Sequence, residues 1–111
     1  MAEPSVTLTE LDDGRTIEAK VGDTVELVLP ENATTGYRWA FDGLDEQAVR
    51  ASEGELVGKP AKVGSGGDVR WRLTVLAPAT TEVKLKLWRR WEGNRSIQKR
   101  FAVRLTTKAR G

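Results

Sequence analysis

Apolar and polar positions alternate with a period of two through most of the chain. Val25, Leu27 and Leu29 share one side of the first clear run, and Tyr37, Trp39 and Phe41 share one side of the next. In "DVRWRLTVL", Val69, Trp71, Leu73 and Val75 fall on one face and Arg70, Arg72 and Thr74 on the other. "EVKLKLW" places Val83, Leu85 and Leu87 inward and Lys84, Lys86 and Trp88 outward, and Phe101, Val103 and Leu105 repeat the pattern. Near the start, Val6 and Leu8 alternate with threonines, and "LDDG" signals a turn before "RTIEAK". The period is that of half-buried strands. It weakens between residues 42 and 57, which predicts a turn and a weak strand near Val49 to Val57. No stretch carries the spacing of a long helix. Six or seven antiparallel strands without a long crossover predict an all-β sandwich of immunoglobulin-like size, one domain over residues 1–111. Trp39 is the large side chain expected at its centre. There is no cysteine, so no disulfide joins the sheets and apolar packing must hold them together.

If each strand runs opposite to its predecessor, alternate connections fall at the same end of the sandwich. "PENATTG" (30–36), "GKPAKVGSGGD" (58–68) and "RRWEGN" (89–94) are then neighbours, and they hold the unusual chemistry of the sequence. Binding residues tend to sit on loops fixed by a rigid scaffold. Each loop also has an ordinary reading. Asn32 suits an Asx-turn and Gly36 a positive φ; residues 64–67, "GSGG", suit a flexible link; Trp91 could fold back onto the sheet edge. Against the last, Trp88 faces outward by parity and Trp91 follows three residues later. Two tryptophans and two arginines at one tip have the composition of an interface hot spot.

Composition narrows the chemistry. Without histidine or cysteine there is no thiol nucleophile, no thiolate-bound zinc and no imidazole base, so an enzyme is not expected. Asp12, Asp13, Asp42, Asp45 and Glu46 read as turn formers and solvated charges, and no cofactor or metal is expected. Net charge is +2, yet residues 1–58 carry 4 basic and 13 acidic side chains while residues 84–111 carry 10 basic and 1 acidic. If strands from the two halves interleave, these charges neutralise in space; if they segregate, one face is basic. The second case is a rival in kind. Arg70, Arg72, Lys84, Lys86, Arg89, Arg90, Arg95, Lys99, Arg100 and Arg104, interleaved with Trp71, Trp88 and Trp91, would form a polyanion- or single-strand-binding surface. An immunoglobulin-like adhesion or accessory module is a third reading. Asn32-Ala-Thr34 and Asn94-Arg-Ser96 fit the glycosylation pattern, which matters only in a eukaryotic secretory path. No apolar run approaches membrane-spanning length, and "MAEPSV" lacks the features of a signal peptide. The expectation is a monomer, cytoplasmic as written, or periplasmic or secreted if a leader has been removed.

Three motifs in order bring a resemblance into view: "NATTGY" (32–37), "GSGG" (64–67) and "RRW" (89–91). With the "VGDTVELVLP" strand before the first, they resemble the Asn-Pro-Thr-Thr-Gly-(Tyr/Phe), Gly-x-Gly-Gly and Arg-Pro-Trp loops of the chagasin family of cysteine-peptidase inhibitors. The similarity runs over nearly the whole chain. It implies an immunoglobulin-like sandwich whose three loops form a wedge against papain-like cysteine peptidases. The implied contact residues are Asn32, Ala33, Thr34, Thr35, Gly36 and Tyr37, then Gly64, Ser65, Gly66 and Gly67, then Arg89, Arg90 and Trp91. Thr35 would approach the catalytic thiol, the "GSGG" and "RRW" loops would grip the flanks, and Trp91 would lie on an aromatic surface of the primed side. Inhibition would be tight, reversible and non-covalent. Thr34 and Thr35, being β-branched, favour a stiff extended tip, and Gly36 permits the return. Ala33 and Arg90 stand where the family usually has proline, which leaves both loops freer before binding.

Overall fold

The computed structural model describes residues 6–31, 35–57 and 67–110. These residues form nine strands: β1 (Val6–Leu8), β2 (Thr16–Lys20), β3 (Thr24–Glu31), β4 (Arg38–Phe41), β5 (Val49–Ala51), β6 (Glu55–Val57), β7 (Gly67–Val75), β8 (Ala79–Trp88) and β9 (Lys99–Lys108). One sheet has the order β1-β3-β7-β5, with β6 also paired to β7; the other has the order β2-β9-β8-β4. The expected sandwich is present, with more strands than the alternation announces. The weak strand near Val49 to Val57 is two short strands, β5 and β6, both antiparallel to β7. The sheets are also mixed. β1 runs parallel to β3, and β2 runs parallel to β9. Parallel neighbours are joined through distant parts of the chain, so local alternation carries no sign of them.

The two inner faces meet in one core. Leu8, Val25, Leu27, Leu29, Val49, Val69, Trp71, Leu73 and Val75 pack against Ile17, Ala19, Trp39, Val83, Leu85, Leu87, Phe101, Val103 and Leu105. Every inward position expected on β3, β7, β8 and β9 is buried. Across the sheets, Phe41 meets Trp71 edge to face, with ring centroids 5.9 Å apart and planes at 72°, a favoured aromatic geometry.

Two outward positions are less exposed than their place on the outer face implies. Lys86 is buried, with 9% of its surface exposed, although its parity puts it on the outer face of β8. Its ammonium lies 3.6 Å from the centroid of the Trp88 ring, 2.9 Å from Asn94 Oδ1 and 3.6 Å from Asp42 Oδ1. A buried cation needs such partners. Trp88 is correspondingly half-buried, because it lies over Lys86.

Trp39 has a second task at the end where β3 stops and β4 starts. Its indole Nε1–H donates to the Pro30 carbonyl at 2.8 Å, and its backbone N–H donates to Glu31 Oε1 at 2.8 Å. Pro30 and Glu31 belong to one sheet and Trp39 to the other, so the sheets are tied beneath the first loop. Trp39→Ala is expected to cost about 3–5 kcal/mol of stability in urea denaturation, as a large core side chain removed. Trp39→Phe keeps most of the packing but removes the indole bond to the Pro30 carbonyl, and is expected to cost about 1–3 kcal/mol.

Candidate functional site

Strand register decides which connections are neighbours. Glu31, the last residue of β3, pairs with Gly67, the first of β7, and Val57 at the end of β6 pairs with Asp68. On the other sheet, Arg38 at the start of β4 pairs with Trp88 at the end of β8, and Leu87 pairs with Lys99 at the start of β9. The chain therefore leaves and re-enters the sandwich three times at one end: between residues 31 and 38, between 57 and 67, and between 88 and 99. Asn32, Ala33, Thr34, Gly64, Ser65 and Gly66 lie outside the described residues, so their placement is not part of this geometry. Gly67, expected in the second loop, is already a strand residue of β7.

The third connection is not a plain loop. Residues Arg90–Ser96 form short 3-10 turns with a kink at Gly93. Ser96 clasps the segment: its hydroxyl accepts the Arg89 N–H at 2.9 Å and has the carbonyls of Gly93 (2.7 Å) and Arg89 (3.0 Å) in reach of its one proton. Lys86 holds the far side through Asn94. The tip thus rests on β8 by side-chain bonds as well as by its ends.

From this platform two side chains reach the first loop. The Arg89 guanidinium donates from Nε (3.2 Å) and Nη2 (3.1 Å) to the Thr35 carbonyl and lies 4.4 Å from the centroid of the Tyr37 ring. Its third nitrogen, Nη1, is 3.6 Å from Glu92. Trp91 is 72% exposed, which rules out its folding back into the sheet edge. The edge of its ring nevertheless passes over Gly36: a Cβ at that position would come within 2.9 Å of Trp91 Cη2. Gly36 also has φ of 81°, where side chains are disfavoured. Gly36 makes the expected return and Thr35 already lies in the turn with it, not in extended backbone, while Thr34, the other half of the expected stiff tip, lies outside the described residues; the Tyr37 N–H approaches Thr35 Oγ1 at 3.4 Å. Tyr37 is half-buried beneath Arg89.

Of the implied contact residues, then, Trp91 and Arg90 face solvent, whereas Arg89 and Tyr37 are engaged with each other. The sequence signal missed was Ser96, whose hydroxyl shapes the tip; its place in the Asn94-Arg-Ser96 triplet suggests glycosylation, not clasping.

Much of the uneven charge is paired between the two halves of the chain. Arg70 pairs with Glu55, Arg72 with Glu26 (3.9 Å), Arg100 with Asp42 (3.2 Å), Lys108 with Glu18 (3.7 Å) and Arg110 with Asp23. Each joins a base from the C-terminal half to an acid from the N-terminal half, so strand interleaving offsets part of the uneven distribution. The Arg70 guanidinium beside Glu55 holds that carboxyl below its ordinary value. The arginines and tryptophans required for a polyanion surface are divided: Arg70 and Arg72 lie on one sheet, Lys84, Arg100 and Arg104 on the other, and Trp71 and Lys86 are buried. Among the described residues no three metal-capable side chains converge, and no helix is long and apolar enough to cross a membrane.

A family model described as "Chagasin family peptidase inhibitor I42" matches residues 18–105, from β2 to β9. The chain belongs to the chagasin family. Chagasin of Trypanosoma cruzi is 34% identical over 103 residues, covering 88% of this chain and 94% of that protein. The crystal structure of EhICP2, a cysteine protease inhibitor from Entamoeba histolytica, superposes with a TM-score of 0.82 over 96% of this chain and 100% of its own, at 23% identity. PbICP-C, solved in complex with falcipain-2, superposes with a TM-score of 0.68 over 97% of this chain and 94% of its own, at 12% identity. These two likenesses speak for the fold. As a chagasin-family member the chain is a peptidase inhibitor and not an enzyme.

The contact between Gly36 and Trp91 can be isolated. Gly36→Ala is expected to lose about 1–2 kcal/mol from its backbone conformation alone, plus the cost of displacing Trp91. Gly14 also has a positive φ, 85°, but a Cβ there meets nothing within 4 Å, so Gly14→Ala carries the backbone cost only. Thermal melts of both variants, with the Trp91 indole N–H followed by NMR, should show the larger loss and a shifted indole signal for Gly36→Ala.

Proposed function

We propose that this chagasin-family inhibitor acts on papain-like cysteine peptidases, reversibly and without covalent chemistry, by seating the surface formed by residues 32–37, 64–67 and 89–91 in the active-site cleft. The observation that carries this reading is Trp91, exposed at 72% beside the Thr35–Gly36 turn, at the end from which all three connections leave. An exposed, braced tryptophan supplies rigid apolar area at small entropy cost, as interface anchors do. The central loop enters the cleft with Thr35 nearest the thiol. Residues 64–67, nearly free of side chains, allow close backbone approach on one flank, and Trp91 covers the other. Occlusion needs no nucleophile or base from the inhibitor, consistent with a chain lacking cysteine and histidine.

Titration of papain with the purified chain is expected to abolish activity and to release the inhibitor intact on dilution or denaturation. Full activity at micromolar inhibitor, with the chain folded, would sink the proposal. Trp91→Ala is expected to weaken inhibition by about 2 kcal/mol or more, roughly thirtyfold, with little loss of stability. Because the contacts are mainly apolar and backbone, inhibition should change little between low and physiological salt, unlike phosphate-directed binding.

Proline at the family position in the first loop offers a test of preorganisation. Ala33→Pro is expected to tighten inhibition about two- to fivefold, since a compatible proline removes conformational freedom before binding. A weaker inhibitor of unchanged stability would show that the loop has left the family's conformation, and the assignment of Thr35 to the catalytic centre would fall with it.

A further inference from the structure

We propose that Arg89 is a positioning residue whose guanidinium braces the first loop from the third, holding Thr35, Gly36 and Tyr37 in shape before any partner arrives. The inference rests on the inhibitory reading above for its purpose, but its physical content concerns the free chain.

Every nitrogen of the guanidinium has an internal partner. Nε and Nη2 converge on the Thr35 carbonyl at 3.2 and 3.1 Å, and Nη1 is 3.6 Å from Glu92 Oε2. The flat face of the group covers the Tyr37 ring at 4.4 Å. Its side chain retains only 33% of its exposure, whereas its neighbour Arg90 is exposed and has no ion pair among the described residues. Two adjacent arginines therefore do opposite work: Arg90 points away from the molecule and Arg89 into it.

The brace is itself held. The Arg89 N–H is bonded to Ser96 Oγ at 2.9 Å, and the 3-10 segment that follows is pinned to β8 by the 2.9 Å bond from Lys86 to Asn94. Rigidity passes from the sheet to the third connection and from there to the first. A planar, always-charged fork suits this position because two donors can reach one carbonyl while the plane stacks on an aromatic ring; a lysine offers one point of contact. Trp91 closes the same junction from the other side by lying over Gly36. The ordering entropy of Thr35, Gly36 and Tyr37 is thus met during folding and not at the moment of binding.

The test compares wild type, Arg89→Ala and Arg89→Lys, using backbone amide relaxation and hydrogen exchange at Gly36 and Tyr37 in the free protein, then inhibition of papain. Arg89→Ala is expected to loosen both amides and to raise the inhibition constant about tenfold or more, with Arg89→Lys between it and wild type. Should the alanine variant fail to fold, the lysine variant carries the comparison. Unchanged order at Gly36 and Tyr37 in a folded variant overturns the brace, and if inhibition is lost at the same time, Arg89 meets the peptidase directly. Loosened amides with undiminished inhibition also overturn it, because the ordering then serves nothing at the cleft. A wild-type chain that leaves papain fully active sinks the inhibitory reading alone, since the amide measurement still decides whether Arg89 orders the loop.

Discussion

The two hydrogen bonds from Trp39, to the Pro30 carbonyl and the Glu31 carboxylate, join the sheets at the one place where their strand ends must stay together. Sandwich sheets otherwise meet only through apolar contact, which is non-directional and tolerates small sliding. A directional link at the loop end removes that freedom there. It also ties the start of β4 to the end of β3, so both feet of the first loop have fixed positions. Strand register does the rest. A slip of one residue between β3 and β7 would turn either Leu27 or Trp71 out of the core, so the pairing of Glu31 with Gly67 is set by burial far from the loops.

On that base the functional end is built in tiers. β8 carries the buried Lys86, Lys86 fixes Asn94, Ser96 closes the turn around Arg89, and Arg89 and Trp91 settle on Thr35 and Gly36. Lys86 is a costly residue to bury, and Asp42, Asn94 and the Trp88 ring together compensate its charge. Removing any one of them would leave the ammonium short of partners and reach the tip indirectly. The tip depends on polar satisfaction beneath it as well as on its own contacts.

How far the sequence could be read follows from how local each determinant is. The inward faces of β3, β7, β8 and β9 were legible because alternation is a nearest-neighbour property, and the three motifs were legible because each is contiguous. The parallel partners of β1 and β2 were not, since residues 16–20 lie beside residues 104–108 and nothing in either segment names the other. Burial of Lys86 was hidden for a similar reason: parity put it outside correctly, and residues 42 and 94 then covered it. The inward role of Arg89 was likewise hidden, because "RRW" gives two identical side chains and only the fold decides which one meets Thr35.

The parallel pairing of β2 with β9 also sets a time order. Among the described residues β2 has one sheet neighbour, β9, which is synthesised some ninety residues later. β9 is also the strand into which the third connection descends, and the main partner of β8. Topologies dominated by such distant pairings fold slowly, because the chain must close long loops before contacts repay the cost. During synthesis the N-terminal portion can collapse but cannot complete either the second sheet or the platform under Trp91. A partly translated chain therefore presents Thr35, Gly36 and Tyr37 without Arg89 and Trp91, and the contacts that shape this turn arrive only with the third connection.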